Sequence, residues 1–202
     1  MTLATLQLEN HLPATLTAPG LSEADFLALA EEFPDCFLEY TAEGTVLIMP
    51  PTDPETGARV MRVAYQLMQW NDAHGRGIVT GADAGFFFAD GSRRSPDAAW
   101  FDADRWRKSQ KKGTRFPRFA PEFLIEVRSP EQRVARFQNQ PLREKMEEYI
   151  ANGVQLGWLI DPIAHSVEIY RSGREPEVLN KPAAVSGEGP VQGFVLDLSG
   201  IL

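Results

Sequence analysis

The sequence predicts an α/β fold: a mixed β-sheet flanked by helices, with an N-terminal helix and a β-hairpin leading into it. Three observations predict this. Apolar residues recur at helical spacing in several separated segments, short runs of β-forming residues stand between them, and Glu122 to Arg128 is apolar enough for an interior strand. With 202 residues, 43% hydrophobic and 24% charged, the chain fits one domain with one sizeable core.

Residues 1 to about 20 show no periodicity and end in Pro19-Gly20, which marks a tail or arm before a single domain over 21–202. Ser22 is an N-cap with Asp25 three residues on, and Phe26, Leu29, Ala30 and Phe33 follow at helical spacing up to Pro34. Phe37 to Thr41 and Thr45 to Met49, joined at Glu43-Gly44, read as a hairpin stopped by Pro50-Pro51. A long helix is predicted from Pro54 to Ala73 by Val60, Val63, Ala64, Leu67 and Trp70, with Gly75 and Gly77 ending it. Ile78 to Thr80, Gly85 to Ala89 and Ala98 to Phe101 are strand-like, with Asp90-Gly91 turning between the last two. A short helix near Asp102 to Ser109 then leads into a basic loop. After the strand at 122–128, Pro141 to Ala151 is a helix burying Leu142, Met146, Tyr149 and Ile150. Leu156 to Ile160 and Ser166 to Tyr170 pair around Asp161-Pro162, and Gly193 to Leu198 adds a last strand.

No apolar run approaches the roughly 18 residues of a membrane span, and no basic start precedes an apolar stretch, so a cytoplasmic protein without membrane contact is expected. The single cysteine, Cys36, sits in an apolar setting and reads as a core residue. His11, His74 and His165 lack spaced partners and suggest neither a zinc site nor a nucleophile-base pair. The net charge of −8 conceals an asymmetry: Arg93 to Lys145 holds fourteen basic against seven acidic residues, leaving that segment at +7 and the remainder at −15. Such a split suits a polyanion-facing side, with Lys108, Lys111, Lys112 and Arg115 as nucleic-acid contacts; a merely solvated loop is the alternative.

The chemistry is concentrated in two acids. Along Pro121 to Pro130, strand alternation puts Phe123, Ile125 and Val127 on one face and Leu124, Glu126 and Arg128 on the other. A carboxylate in so apolar a strand must be paired, exposed at the strand end or bound to metal. Asp97 follows a proline at the entry of another strand, which fixes its backbone. Two carboxylates converging from adjacent strands are what a hard cation such as Mg²⁺ requires.

Pro96-Asp97 with Glu126 and a cation at 128 resembles the PD-(D/E)XK signature of restriction-endonuclease-like nucleases. More of the chain agrees over roughly 20–172: Glu126-Val127-Arg128-Ser129-Pro130, Lys145-Met146-Glu147-Glu148-Tyr149, Asn152-Gly153-Val154 and Gly157-Trp158-Leu159-Ile160-Asp161-Pro162 are similar to successive blocks of the Uma2 (DUF820) family. The resemblance implies a restriction-endonuclease-like fold and Mg²⁺- or Mn²⁺-dependent hydrolysis of DNA, with Asp97 and Glu126 as metal ligands. It places the usual lysine at 128, where this chain has arginine, a residue that stays protonated but can neutralise phosphate charge. Lys145, at the edge of the buried stripe of its helix while Glu144, Glu147 and Glu148 point outward, offers a replacement that would assist the attacking water; a snorkelling surface lysine is the alternative.

Glu39, inside Phe37-Leu38-Glu39-Tyr40, is a candidate third carboxylate or an exposed hairpin residue, and Asp161 is assigned to capping the turn at Pro162. Cutting two strands makes a homodimer or higher homo-oligomer the economical assembly. Two rival readings use the same residues: a binding protein of this fold that has lost catalysis, and a hydrolase of small phosphodiesters.

Overall fold

The computed structural model describes residues 12–75, 77–110, 116–129 and 142–202. Two sheets, not one, make up the body. The larger has six strands in the order β11-β10-β9-β8-β7-β4, the second five in the order β1-β3-β2-β6-β5, and a small ribbon pairs β12 with β13. In chain order the elements are β1 (Ala14–Thr17), α1 (Glu23–Glu32), β2 (Phe37–Tyr40), β3 (Thr45–Met49), α2 (Pro54–His74), β4 (Gly77–Gly81), β5 (Phe86–Phe87), β6 (Arg93–Arg94), β7 (Ala98–Asp102), α3 (Ala103–Gln110), β8 (Phe123–Val127), α4 (Leu142–Ala151), β9 (Leu156–Asp161), β10 (Ser166–Arg171), β11 (Glu177–Asn180), β12 (Ala184–Ser186) and β13 (Val195–Asp197). Among the described residues, no helix is long and apolar enough to cross a membrane.

The large sheet is mixed because β8 and β9 run parallel, with α4 on the connection that parallel strands require. Its two faces are covered differently. Phe123, Ile125 and Val127 join Val63 and Leu67 of α2 in one core cluster, while Leu124 faces Met146 and Tyr149 of α4 in the other. A third cluster, around Phe26, Val46 and Ile48, fills the space between α1 and the second sheet. The expected hairpin is present, and β1 adds to its outer edge by pairing with β3.

Helix termini follow their local chemistry. Ser22 Oγ accepts from Asp25 N–H at the start of α1. Asp53 Oδ1 accepts from the Glu55 and Thr56 N–H groups at 2.9 and 3.0 Å, Pro54 sits in the first turn of α2, and Gly75 ends that helix at φ 65°. Four strands escaped the sequence reading. The segment read as a tail or arm contains β1, the Asp90-Gly91 turn leads into β6 rather than straight to β7, and β11 and β12 lie in a polar stretch without alternation. At two residues, β6 is too short to register as a strand.

Close packing at one glycine locks α2 to the sheet. A Cβ on Gly77 would stand 2.1 Å from Trp100 Nε1. That indole donates to Asn71 Oδ1 at 2.9 Å, and the Gly77 N–H donates to the same oxygen at 3.1 Å. At Gly157 the nearest atom to an added Cβ is the flexible end of Met146, at 2.7 Å. Gly77→Ala is therefore expected to cost about 2 to 3 kcal/mol in denaturant unfolding, through displacement of Trp100, and Gly157→Ala distinctly less. Equal losses would contradict this packing.

Candidate active site

Antiparallel pairing of β7 with β8 brings the two predicted acids together. Ala98 is opposite Ile125, so continuing the register by one residue sets Asp97 opposite Glu126. Opposed positions in such a ladder share a face, with Cβ atoms about 5 Å apart. Asp97 lies just before β7, where its Oδ2 accepts the Val127 N–H at 2.7 Å. Glu126, 3% exposed, lies on the α4 face of β8.

Lys145 reaches in from α4. Its Nζ is 2.8 Å from Glu126 Oε1 and 2.9 Å from Glu39 Oε1. Tyr149, one turn further along, donates its hydroxyl to Glu126 Oε1 at 2.8 Å. Glu39, from β2 of the other sheet, also accepts the Ser95 N–H at 3.1 Å, and its Oε2 accepts from Arg94 Nη1 at 3.1 Å. Arg94 is 1% exposed and bidentate to Glu148, with Nε to Oε1 at 2.8 Å and Nη2 to Oε2 at 2.6 Å. Three carboxylates, Glu39, Glu126 and Glu148, and two cations thus form one connected network, with Asp97 beside Glu126 at its edge. Asp97, Glu126, Glu39 and Lys145 line a cavity of about 340 Å³, together with Phe37, Met49 and Pro50.

Each titration follows from this placement. Burial drives the Glu126 carboxyl above its usual range, and the Lys145 ammonium does not fully offset that or the repulsion from Glu39. Glu39 is buried as deeply, yet the charges of Lys145 and Arg94 and the hydrogen bonds from Lys145 and Ser95 hold it below its usual range. Burial alone would lower Lys145, but Glu126 and Glu39 outweigh it and keep the amine protonated. Asp97 is pushed up to about 7, first by burial and then by the charge of Glu126, against the Val127 hydrogen bond and Lys145.

Several expectations need correction. Arg128 does not line the cavity. Its N–H donates to Ile160 O at 2.8 Å, extending the parallel pairing, and its Nη1 meets Oδ2 of Asp161, the last residue of β9, at 2.6 Å. Asp161 caps its turn as expected, its Oδ1 accepting the Ile163 and Ala164 N–H groups at 2.9 Å. Glu148 turns inward to Arg94, contrary to the helical-wheel expectation. Glu39 is buried, which corrects the exposed-hairpin alternative, and both its oxygens meet cations. Lys108 is exposed on α3 and does not line the cavity, while Lys111, Lys112 and Arg115 lie outside the described residues. Arg94, Glu148 and the hydroxyl of Tyr149 were missed as members of the site. Spacing held a clue for two of them: 145, 148 and 149 share a helix face.

The donor chemistry fits a hard divalent cation. Among the described residues, no three His, Cys, Asp or Glu side chains are gathered as a ready-made metal cage. The site offers instead two adjacent carboxylates, the set Mg²⁺ accepts while retaining water. Asp97 Oδ1 and Glu126 Oε2 have no hydrogen-bond partner among the described residues, and neither is among the buried unpartnered atoms.

A mixed sheet with paired carboxylates at the meeting ends of two strands and a lysine from the covering helix defines a restriction-endonuclease-like α/β protein. The chain matches the family model described as "Uma2: Putative restriction endonuclease" over residues 23–199, and it belongs to the Uma2 family. Its fold is similar to the crystal structure of "a putative nuclease belonging to DUF820" from Anabaena variabilis ATCC 29413, at 22% identity and a TM-score of 0.71, covering 88% of this chain and 95% of that one. No curated protein matches the chain.

Two outcomes follow for the metal-free protein. An acid whose folded pKa lies above its unfolded value loses stability as pH rises between the two. Asp97→Asn is therefore expected to be more stable than wild type, the gap widening from pH 4 to 7 and levelling above, on the order of 4 kcal/mol at pH 8 in urea titrations. A gap that shrinks with rising pH would contradict the assignment. Arg94→Met, which strips the cation from Glu39 and Glu148, should lower stability by about 3 to 5 kcal/mol, read as a shift of the urea midpoint.

Proposed function

We propose that this protein is an endonuclease that hydrolyses DNA phosphodiester bonds with Mg²⁺ or Mn²⁺. The observation that carries the reading is the adjacent carboxylates of Asp97 and Glu126, both lining one cavity, each with one oxygen that no protein donor engages among the described residues, beside the Lys145 ammonium. Membership of a family described as "Putative restriction endonuclease" supports it.

Asp97 and Glu126 would hold the ion through the oxygens left unbonded by protein donors. A divalent ion so held supplies charge to stabilise the phosphoryl transition state and lowers the pKa of a bound water. Lys145 is a permanent cation here, because two carboxylates hold its proton, so it acts as a donor and not as a base. An ammonium has three N–H groups, and two are directed to Glu39 and Glu126. The third can donate to the attacking water or to a non-bridging phosphate oxygen, offsetting charge that grows in the transition state. Tyr149 and Lys145 both act on Glu126 Oε1 and so fix the plane of that carboxylate. Arg94 and Glu39 act one step further out, positioning Lys145. Cleavage of both strands of a duplex calls for a homodimer, one copy per strand.

The test is cleavage of supercoiled plasmid and of circular single-stranded DNA across a series of metals and salt concentrations. Wild type should cut with Mg²⁺ or Mn²⁺ and stop in chelator. Asp97→Ala should lose at least about a hundredfold in rate, and Lys145→Met about tenfold or more. If wild type is as inert as Asp97→Ala under every metal, the enzymatic reading is wrong and a binding role remains.

A further inference from the structure

The reaction centre lies at the floor of a cavity whose lip is apolar. Phe37 and Glu39 alternate on one face of β2, so Phe37 stands on the same side as Glu39, one step toward solvent. Phe37 is 37% exposed, high for an aromatic ring beside a buried charge network. Register places Met49 directly opposite it on β3, and Pro50 and Pro51 continue the lip. Gly57 and Val60 of α2 form the facing wall. A second cavity of about 290 Å³ adjoins the first and shares Phe37, Leu38, Ala82 and Ser95 with it. Phe37 thus borders both, and the second contains the stacked rings of Phe87 and Phe116, 5.0 Å apart.

This lining suits one particular form of nucleic acid. A duplex is held by rows of cations along its two backbones, and among the described residues lining the first cavity Lys145 is the single cation. The lip, from Phe37 and Leu38 through Met49, Pro50 and Pro51, is apolar and would desolvate a second strand without compensating it. About 340 Å³ is the scale of a small-ligand pocket. An unpaired base, with two apolar π-faces and one phosphate attached, matches both the lip and the floor. Stacking on an exposed aromatic side chain is how single strands are commonly gripped.

Resting on the nuclease reading, we propose that the site takes one strand with the nucleotide at the scissile phosphate unpaired, its base against Phe37 and its phosphate at Asp97, Glu126 and Lys145. The substrate class is then single-stranded DNA, or duplex DNA that is unpaired at the cut. Phe37 is the specificity-determining residue.

The test compares Mn²⁺-dependent cleavage of one oligonucleotide sequence as a single strand, as a perfect duplex, and as a single strand carrying an abasic residue at the mapped cut. The single strand should be cut at least tenfold faster than the duplex, and the abasic residue should remove that advantage. Phe37→Ala should raise KM for the single strand about tenfold, with a smaller change in kcat, and Phe37→Trp should restore it. Circular dichroism melts confirm that the variants remain folded; should Phe37→Ala fail to fold, Phe37→Trp and Phe37→Leu make the same comparison. Equal rates on single strand and duplex, with Phe37 variants leaving the ratio unchanged, would overturn this inference while the nuclease reading stands. Failure to cut any nucleic acid sinks both. A higher kcat/KM for bis(p-nitrophenyl) phosphate than for every oligonucleotide would assign the cavity to small phosphodiesters and overturn it as well.

Discussion

The cost of holding carboxylates beside one another out of water governs this structure. Each of Glu39, Asp97 and Glu126 loses hydration on folding, and like charges a few ångströms apart repel. Two cations offset the cost, and where they sit decides how the parts of the molecule meet. Arg94, on β6 of the second sheet, grips Glu148 of α4 and Glu39 of β2. Lys145, on α4, grips Glu39 and Glu126, which belong to different sheets. Removing either cation would leave buried charge without compensation, which is far more destabilising than the pairs are stabilising against an apolar replacement. The network therefore sets the alignment of the two sheets and the helix more than it adds to stability.

That alignment explains why the cavity opens where it does. Strands β7 and β8 are antiparallel, so the start of one lies beside the end of the other, and both acids reach the same place. Pro96 holds the backbone before Asp97, and the Val127 N–H fixes one carboxylate oxygen. Apolar packing on the other face, from Val63 and Leu67 to Phe123 and Ile125, keeps β8 from shifting register. A shift of one residue would send Glu126 into that core and bring an apolar residue to the cavity. Hydrophobic patterning thus specifies the polar site indirectly.

Much of this was legible in the chain, and the reasons are specific. Phe123, Ile125 and Val127 alternate with Leu124 and Glu126, so both the strand and the direction of the acid follow from period two alone. Lys145 shares a helical face with Tyr149 and lies beside Met146, and burial of that face carries the lysine inward. The second sheet was not legible, because it depends on β6, two arginines that resemble a solvated turn until Glu39 and Glu148 are near them. Partners 54 and 55 residues away in sequence leave no local trace. Arg128 misled for a related reason: alternation gives the face of a side chain, but not whether the chain beyond the strand end turns toward a neighbour such as Asp161.

The placement of an arginine at 128 and a lysine at 145 has a physical basis. A cation at 128 follows β8 out along β9, and the nearest available carboxylate there is Asp161. From that position it can serve one acid beside the parallel pair. A cation on α4 instead crosses the gap between the sheets and touches two acids at once. Lysine suits that position better than arginine would, since a compact ammonium with three donors can bridge two carboxylates and keep one N–H for a third partner. Arginine suits the outer position, where its planar fork meets two Glu148 oxygens from Arg94 and the single Asp161 oxygen from Arg128. A lysine on the helix therefore joins the cavity's charge to the packing of α4, and α4 cannot be displaced without also dismantling the site.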